Sequence, residues 1–150
     1  MGARAQINSY SNQFKTPLHF AAMNNHSDVV EFLINTWTRA VGDGAPMNQI
    51  HDLIEAKDEH KCTPLHLASR KGSIECIKLL LERGSNIVAV DNRSWTPLHY
   101  ASYNGHPVAV NFLLKWEADF DKLQYMKNSQ GRTAFIISKN QNVKKAFNRK

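Results

Sequence analysis

The side chains whose type and spacing could support chemistry in this sequence are three histidines and a cysteine. His19, His66 and His99 each close the same tetrapeptide, Thr-Pro-Leu-His, so imidazoles recur along the chain. Imidazole nitrogens are common zinc ligands. Cys62 follows His60 by two residues, and a thiol beside a base is the pairing of a cysteine nucleophile. The sequence therefore poses two questions, one about a metal site and one about catalysis.

Neither arrangement predicts a catalytic or metal site. Histidines on separate stacked helices lie on the order of 10 Å apart, whereas each zinc ligand must approach the ion to about 2 Å. We expect each histidine to bond nearby backbone instead. Cys62 is expected in a solvent-exposed loop with no oxyanion donor, and Cys76 in a helix core. The sequence also lacks phosphate-loop, metalloprotease, hydrolase and kinase motifs, so we predict no enzyme activity and no cofactor.

The tetrapeptide is a signal for the start of a helix. Threonine is a good N-cap, and proline suits the first helical position, where its missing N–H costs nothing. After Thr63, apolar residues predict a short helix that ends at Gly72, and Ile77 and Leu80 predict a second one. A loop rich in turn-forming residues then leads to Trp95. One such unit cannot bury both helices, but stacked units can.

This repeating pattern resembles the ankyrin repeat, a helix–turn–helix–finger unit with the signature Thr-Pro-Leu-His-x-Ala and a period of about 33 residues. The resemblance implies an all-α solenoid of stacked helix pairs with hairpin-like finger loops. We predict a single domain over residues 1–150. It divides into a partial finger 1–15, repeat 16–62 with an insertion of about 14 residues, repeat 63–95, repeat 96–132 with an insertion of about 4, and a shortened repeat 133–150.

The first residues suggest how the array begins. Residues 7–15 fit the finger that precedes a repeat, yet no helix-forming pattern stands before them. We expect the chain to be a segment of a longer array. A short, non-standard N-terminal cap is the alternative.

The longer insertion, Thr36–Gln49, follows the second helix of the first repeat. An apolar stripe through Ile34 and Trp37 predicts that this helix continues to about Val41. A Gly- and Pro-containing stretch then breaks it, and residues 47–53 are expected to return to the finger. Trp37 either marks a contact surface or packs on its own helix, and we favour packing. The shorter insertion, near residues 122–125, is expected to lengthen the third finger.

Composition narrows the class further. The 150 residues carry a net charge of +6, with 21% charged and 42% apolar residues, which suffices for a packed core. No apolar run reaches the roughly 18 residues of a membrane helix, and no signal peptide is visible. Two cysteines without metal or redox spacing favour a reducing intracellular compartment, the cytoplasm or the nucleus.

The resemblance implies a non-catalytic protein–protein interaction module. Similar arrays contact partners with the finger tips and the exposed edge of each first helix, along a concave face. Trp95, Tyr103 and Arg93 are the main candidates, because aromatic and arginine side chains dominate binding hot spots. Carried over position by position, the predicted partner-binding residues are Tyr10, Lys15, Met23, Asn24, Lys57, His60, Arg70, Lys71, Arg93, Trp95, Tyr103, Asn104 and Arg132.

Charge on this face predicts the type of partner. Six of its residues are lysine or arginine and one, Glu59, is acidic, which gives a net charge of +5. An acidic peptide or acidic protein surface is the simplest partner. A nucleic-acid-binding adaptor is an alternative that is less favoured, because the basic residues lack the dense spacing of a phosphate track. A regulatory segment of a larger enzyme, membrane channel or transporter is the other alternative.

Overall fold

The computed structural model describes residues 13–42, 47–116 and 120–148. Over these ranges the chain forms ten helices and no strand. In chain order the helices are α1 (Pro17–Met23), α2 (Ser27–Val41), α3 (Met47–Ile54), α4 (Pro64–Lys71), α5 (Ile74–Glu82), α6 (Pro97–Tyr103), α7 (Pro107–Trp116), α8 (Phe120–Tyr125), α9 (Ala134–Ile137) and α10 (Gln141–Phe147).

The same capping chemistry starts the first helix of successive units. Thr16, Thr63 and Thr96 lie in the extended region, and each hydroxyl accepts a bond from the backbone N–H of the histidine three residues on. The imidazole Nδ1 in turn accepts the threonine's own N–H at 3.1 Å. Proline occupies the first helical turn in all three. Thr133 caps α9 with its hydroxyl but lacks the histidine.

The helices form two rows. Helices α1, α4, α6 and α9 make up an inner row in which each contacts the next, and α2, α5, α7 and α10 make up an outer row in the same way. Within each unit the inner helix packs on its outer partner. The predicted all-α solenoid is confirmed.

We define a unit as a finger together with the helix pair that comes after it, so Cys62 belongs with α4, Trp95 with α6 and Arg132 with α9. Counted in this way, each histidine of the tetrapeptide also joins its unit to the next. His19 Nε2 donates to the Cys62 carbonyl at 2.9 Å, His66 to Trp95 at 2.9 Å, and His99 to Arg132 at 3.0 Å. The acceptor is always the residue just before the next capping threonine. The three rings are therefore equivalent, as predicted, and the bonds they make are both local and between units.

The core runs continuously through the stack. Leu18, Leu65 and Leu98 of the inner row and Leu80 and Leu113 of the outer row are all fully buried. Cys76 is also fully buried, which confirms its predicted place in a helix core. Burial raises the pKa of its thiol to about 11.

The structure of the longer insertion differs from the sequence prediction. Helix α2 extends to Val41 as expected, but residues 47–54 form helix α3 rather than returning to the finger. Leu53 and Ile54 are buried, so this segment adds to the core. Trp37 is only 7% exposed, and its Nε1 donates to the Gln49 carbonyl at 3.1 Å. It ties α3 to α2, so it forms no contact surface.

The shorter insertion is also helical. Residues 120–125 form α8 where we expected a longer finger. Leu123 is 1% exposed, and α8 contacts both α7 and α9. The added residues complete a helical turn because that turn buries an apolar side chain.

Candidate functional site

The fingers are built on one repeated turn. Asp58, Asp91 and Asn128 occupy equivalent positions, and each donates its backbone N–H to the carbonyl four residues on, at 2.9–3.0 Å. Their side-chain Oδ1 atoms accept the backbone N–H groups two and four residues on, at 2.8–3.0 Å. This local bonding fixes the shape of each finger tip.

Neighbouring fingers are bonded to each other at their tips. Each finger donates one backbone N–H to the finger before it. The bonds run from Glu59 to Gln13 (3.0 Å), from Asn92 to His60 (3.0 Å) and from Ser129 to Arg93 (2.9 Å). The fingers therefore form a ladder beside the inner helices, and side chains on the ladder keep a fixed spacing.

Between this ladder and the inner helices lies an open groove of about 980 Å³. It brings together eight of the predicted binding residues: Lys15, His60, Arg70, Arg93, Trp95, Tyr103, Asn104 and Arg132. A smaller depression of about 240 Å³ is lined by Met23, Asn24, Arg70, Lys71 and Asn104 together with Leu67. Lys57 is exposed and lines neither, and Tyr10 lies outside the described residues.

Aromatic rings are concentrated at the centre of the groove. The half-buried Trp95 packs edge to face against Tyr100 and Tyr103, with centroids 5.2 and 5.3 Å apart. The guanidinium carbon of Arg93 lies 4.6 Å from the Trp95 ring centroid. Lys139 Nζ lies 5.2 Å from the Tyr103 ring. Both cations are placed for cation–π attraction, so this part of the groove combines apolar area with positive charge.

A buried hydrogen-bond network supports the aromatic centre. Tyr100 donates its hydroxyl to Asp91 Oδ2 at 2.5 Å and lies 3.3 Å from Cys62 Sγ. Arg93 reaches the same tyrosine oxygen at 3.3 Å and the Asp91 carboxylate at 3.8 Å. Burial and the bond to the Asp91 carboxylate raise the pKa of Tyr100. Its hydroxyl therefore stays protonated and bonds Asp91, whose Oδ1 accepts the backbone N–H of Trp95 at 2.9 Å.

The expectation that Cys62 lies in solvent is wrong. The residue is 3% exposed, because Tyr100 and Asp91 cover it from the next unit. Burial raises the pKa of its thiol to about 11, so the reactive thiolate is disfavoured at neutral pH. The neighbouring His60 ring is exposed and lies 3.3 Å from Glu59. Cys62 is a packing residue.

The groove is basic, but its cations fall into two kinds. Lys15 pairs with the buried Asp58 at 3.2 Å, and Arg93 pairs with Asp91. Although burial alone would raise the pKa of Asp58, bonds from the backbone of Cys62 and His60 and from Lys15 hold it below its usual range. Within the described part of the chain, the other groove cations form no ion pair: Arg70, Arg132 and Lys139. Five basic residues against one aspartate give the lining a net charge of +4.

Sequence reasoning missed the wall that the fourth unit contributes. Ile136, Ile137, Ser138 and Lys139 all line the groove. The signal was weak, because α9 has only four residues and its tetrapeptide is degraded to Thr-Ala-Phe-Ile. Register counted from Thr133 equates Lys139 with the buried Ser69 and Ser102, so register alone would not have placed it on the groove.

No metal site emerges from the same geometry. Over the described ranges, no cluster of three or more histidine, cysteine or acidic side chains could hold an ion. Nor does any helix in those ranges have the length and apolar character needed to span a bilayer.

Comparison with known proteins identifies the family. A profile for ankyrin repeats in three copies matches residues 2–91 and, in an overlapping match, residues 37–124. The E3 ubiquitin-protein ligase XBAT32 of Arabidopsis thaliana is 35% identical over 102 residues, covering 59% of this chain and 20% of the ligase. The human transient receptor potential cation channel subfamily A member 1 is 34% identical over 92 residues, covering 61% of this chain and 7% of the channel.

A third relative is the mouse ankyrin repeat and SOCS box protein 10, which is 31% identical over 99 residues, covering 53% of this chain and 21% of the relative. The chain thus spans about a fifth or less of the length of the relatives it matches. The repeated cap, the two helical rows and the profile match agree: this chain belongs to the ankyrin-repeat family.

Proposed function

We propose that this chain is a non-catalytic interaction module that binds an acidic peptide or acidic protein surface in its groove. Ankyrin repeats generally mediate protein–protein interaction, which supports a protein partner. The observation that carries the proposal is the centre of the groove, where Trp95 and Tyr103 stand beside Arg93 and Lys139. Aromatic and arginine side chains dominate binding hot spots.

Charge supports an acidic partner in particular. Arg70, Arg132 and Lys139 have no ion-pair partner within the described residues and border the aromatic centre. Carboxylates on a ligand would meet positive charge without displacing an internal carboxylate. Such complementarity speeds encounter and disfavours basic partners.

The experiment is a selection from a random peptide library on the immobilised chain. We expect the selected peptides to be enriched in aspartate and glutamate. Replacing Trp95 with alanine should weaken their binding by about 1–3 kcal/mol, because it removes the central aromatic surface. Lys78→Glu is the matched control, since Lys78 is exposed on outer helix α5, away from the groove.

Three results would contradict the proposal: no acidic enrichment, unchanged affinity of the Trp95→Ala variant, or equal losses in the two variants. A circular dichroism spectrum should first show that both variants keep the helical content of the wild type. Competition by a single-stranded oligonucleotide tests the alternative class. If the oligonucleotide bound more tightly than the acidic peptides, the nucleic-acid adaptor would be favoured.

Charge reversal at Arg93 tests how binding proceeds. Arg93 is 57% exposed at its side chain and lies over Trp95. Arg93→Glu should slow association with a selected acidic peptide, and the effect should shrink as salt is added. Stopped-flow measurements at two salt concentrations would show this. An effect confined to the dissociation rate and independent of salt would contradict the steering role.

The second candidate function is a regulatory segment of a larger protein. Two ubiquitin ligases and a cation channel are among the relatives, and the match covers only 7–20% of the length of each. Relatives in which the matching repeats are a small part of a larger protein favour this function. The coding sequence on both sides of this segment distinguishes the cases. Transmembrane spans or a catalytic domain in the flanking sequence would support a regulatory segment. The absence of both would support a free-standing adaptor.

An intracellular location, in the cytoplasm or nucleus, is part of the proposal. Cys62 and Cys76 are both free and buried, as suits a reducing compartment. A fluorescent fusion, examined by microscopy, would test it. Accumulation of the fusion in the secretory pathway would contradict it.

A further inference from the structure

We infer that the preferred ligand is an extended segment with one large apolar side chain and an acidic residue three positions away on either side. This inference rests on the proposed function, since it assumes that an acidic peptide occupies the groove. It adds the order and spacing of the ligand's side chains, which follow from the repeat geometry.

Two features of the fold set the same distance between units. The inner helices α4, α6 and α9 pack in sequence, and packed helices lie about 8–10 Å apart. Each finger runs out and back, and its tip bonds to the previous finger, so one unit spans two strand spacings, or about 9.6 Å. An extended peptide advances about 3.3 Å per residue. About three ligand residues therefore match one unit.

Along the groove the chemistry alternates from unit to unit. Arg70 of the second unit corresponds in register to Tyr103 of the third, and Trp95 of the third corresponds to Arg132 of the fourth. All four line the groove, together with Lys139 of the fourth unit. The order is thus cation, aromatic pair, cation. It is symmetric about the third unit, so a ligand of the same pattern fits in either chain direction.

The centre of the groove selects an apolar side chain. Tyr103 is 46% exposed and stands at 71° to the Trp95 ring, 5.3 Å away. The two rings, with Leu67 and Ile137 nearby in the lining, present carbon surface to the groove. Asp91 offsets the charge of Arg93 at this point. An apolar residue placed there buries aromatic surface next to an arginine whose charge is already offset.

The flanking positions select carboxylates. Arg70 on one side and Arg132 on the other are exposed, and within the described chain they form no ion pair. The first unit differs, since Lys15 is 11% exposed at its side chain and is paired with Asp58, and Met23 is apolar. The pattern therefore covers the second to fourth units and does not require a further acidic residue over the first.

The test uses labelled peptides of identical composition on the full chain. In one, a central phenylalanine has a glutamate three positions away on each side, in a serine and glycine background. In its isomer the two glutamates flank the phenylalanine directly. Fluorescence anisotropy at low salt should give about tenfold tighter binding for the first peptide, because only its glutamates are spaced to reach Arg70 and Arg132.

Charge-reversal variants identify which groove cation causes the preference for the spaced peptide. Arg132→Glu should remove most of the preference for the spaced peptide, and a peptide with lysine in place of one glutamate should bind this variant better than the wild type. Arg70→Glu repeats the test from the other side, and Lys78→Glu on α5 is the control. Equal binding of the two isomers, or an unchanged preference in both groove variants, would overturn the spacing. If the spacing failed but acidic peptides selected from the library still bound in the groove, only the spacing would be overturned and the proposed function would stand. If no acidic peptide bound the groove, the spacing and the proposed function would both be overturned.

Discussion

At the scale of single residues, Gly72 shows how one unit constrains the next. It ends α4 in the left-handed region, at φ +75°, where glycine carries no Cβ penalty. A Cβ at this position would lie 2.6 Å from the Cγ of His106. That histidine belongs to the third unit, and its Nε2 donates to the Arg70 carbonyl at 2.8 Å. Both conformation and neighbour therefore require glycine here.

Replacing Gly72 with alanine should destabilise the fold by about 1–3 kcal/mol. The alanine would be strained at positive φ, and it would also displace the His106 ring from its bond to Arg70. Urea denaturation monitored by circular dichroism measures the change. Gly84→Ala is a matched control, because Gly84 has φ +92° but a Cβ added there would meet no atom within 4 Å. Equal losses in both variants would show that the His106 contact contributes nothing.

Residue roles could be predicted only where the repeat fixes them. The capping threonines and bridging histidines follow from the tetrapeptide, and the structure confirms their equivalence. Cys62 could not be placed in the same way. Its burial depends on Tyr100 of the next unit, and that tyrosine stands where the preceding unit has Leu67. A contact between two non-repeated side chains leaves no signal in the register.

At the scale of elements, short helices need help from their neighbours. Helices α1, α4 and α6 have seven or eight residues, too few to be stable alone. A capping box closes each first turn, and a buried histidine then bonds the finger of the next unit. Burial holds the pKa of His19, His66 and His99 below the ordinary value of 6.5, because desolvation disfavours the charged ring.

This arrangement predicts a stability that falls in mild acid. Below pH 6.5 the unfolded chain takes up protons on these histidines while the folded chain resists, so unfolding is favoured as pH drops. The contribution of the neutral, bonded histidines to the free energy of unfolding is complete above pH 6.5. It is lost as the pH falls from 6.5 to the pKa values of these histidines in the folded chain. The Tm should therefore fall from pH 7.5 to pH 5, by about 2–4 °C for each kcal/mol lost.

Two variants make the test specific. His66→Gln should lower the Tm at pH 7.5 and flatten its dependence on pH, because one of the three protonation sites is gone. His60→Gln, at an exposed finger position, controls for the removal of a histidine as such. A Tm that stays constant down to pH 5 would show that the buried rings do not resist protonation.

The elements of the repeats could be predicted, and those of the insertions could not. Cap, apolar stripe and glycine stop together mark the helix pair of the second unit. The insertion helices α3 and α8 carry no such cap signal, and they are held in place by Leu53 and Leu123, which pack on neighbouring elements. Their helicity depends on tertiary burial, which outweighs local sequence preference. Lys139 was missed for a different reason, because α9 has only four residues and is too short to show a helical period.

At the scale of the whole molecule, stability comes from contacts between successive units along the stack. Each inner helix contacts the inner helices before and after it, and the outer row does the same. In such a stack the free energy of unfolding is close to the sum of the intrinsic stabilities of the units and the energies of the interfaces between neighbouring units. An interior unit contributes to two interfaces, so damage there affects both sides. The groove extends from Lys15 of the first unit to Lys139 of the fourth, and its shape depends on those same interfaces.

Leu80 tests this view from the interior of the stack. It lies on α5, is fully buried, and belongs to a helix that contacts α2, α4 and α7. Leu80→Ala removes buried methyl groups and leaves a cavity that a packed core closes only in part. The free energy of unfolding should fall by about 2–5 kcal/mol.

Urea denaturation of Leu80→Ala is compared with Lys78→Ala, a change on the exposed face of the same helix, which should stay within about 0.5 kcal/mol of the wild type. Because the whole stability of a small domain is about 5–15 kcal/mol, the Leu80 variant should also bind a groove peptide more weakly near its own melting range. At lower temperature, where it stays folded, its affinity should match that of the wild type. An unchanged urea midpoint for Leu80→Ala would mean that the interface between the second and third units contributes little to the stability of the stack.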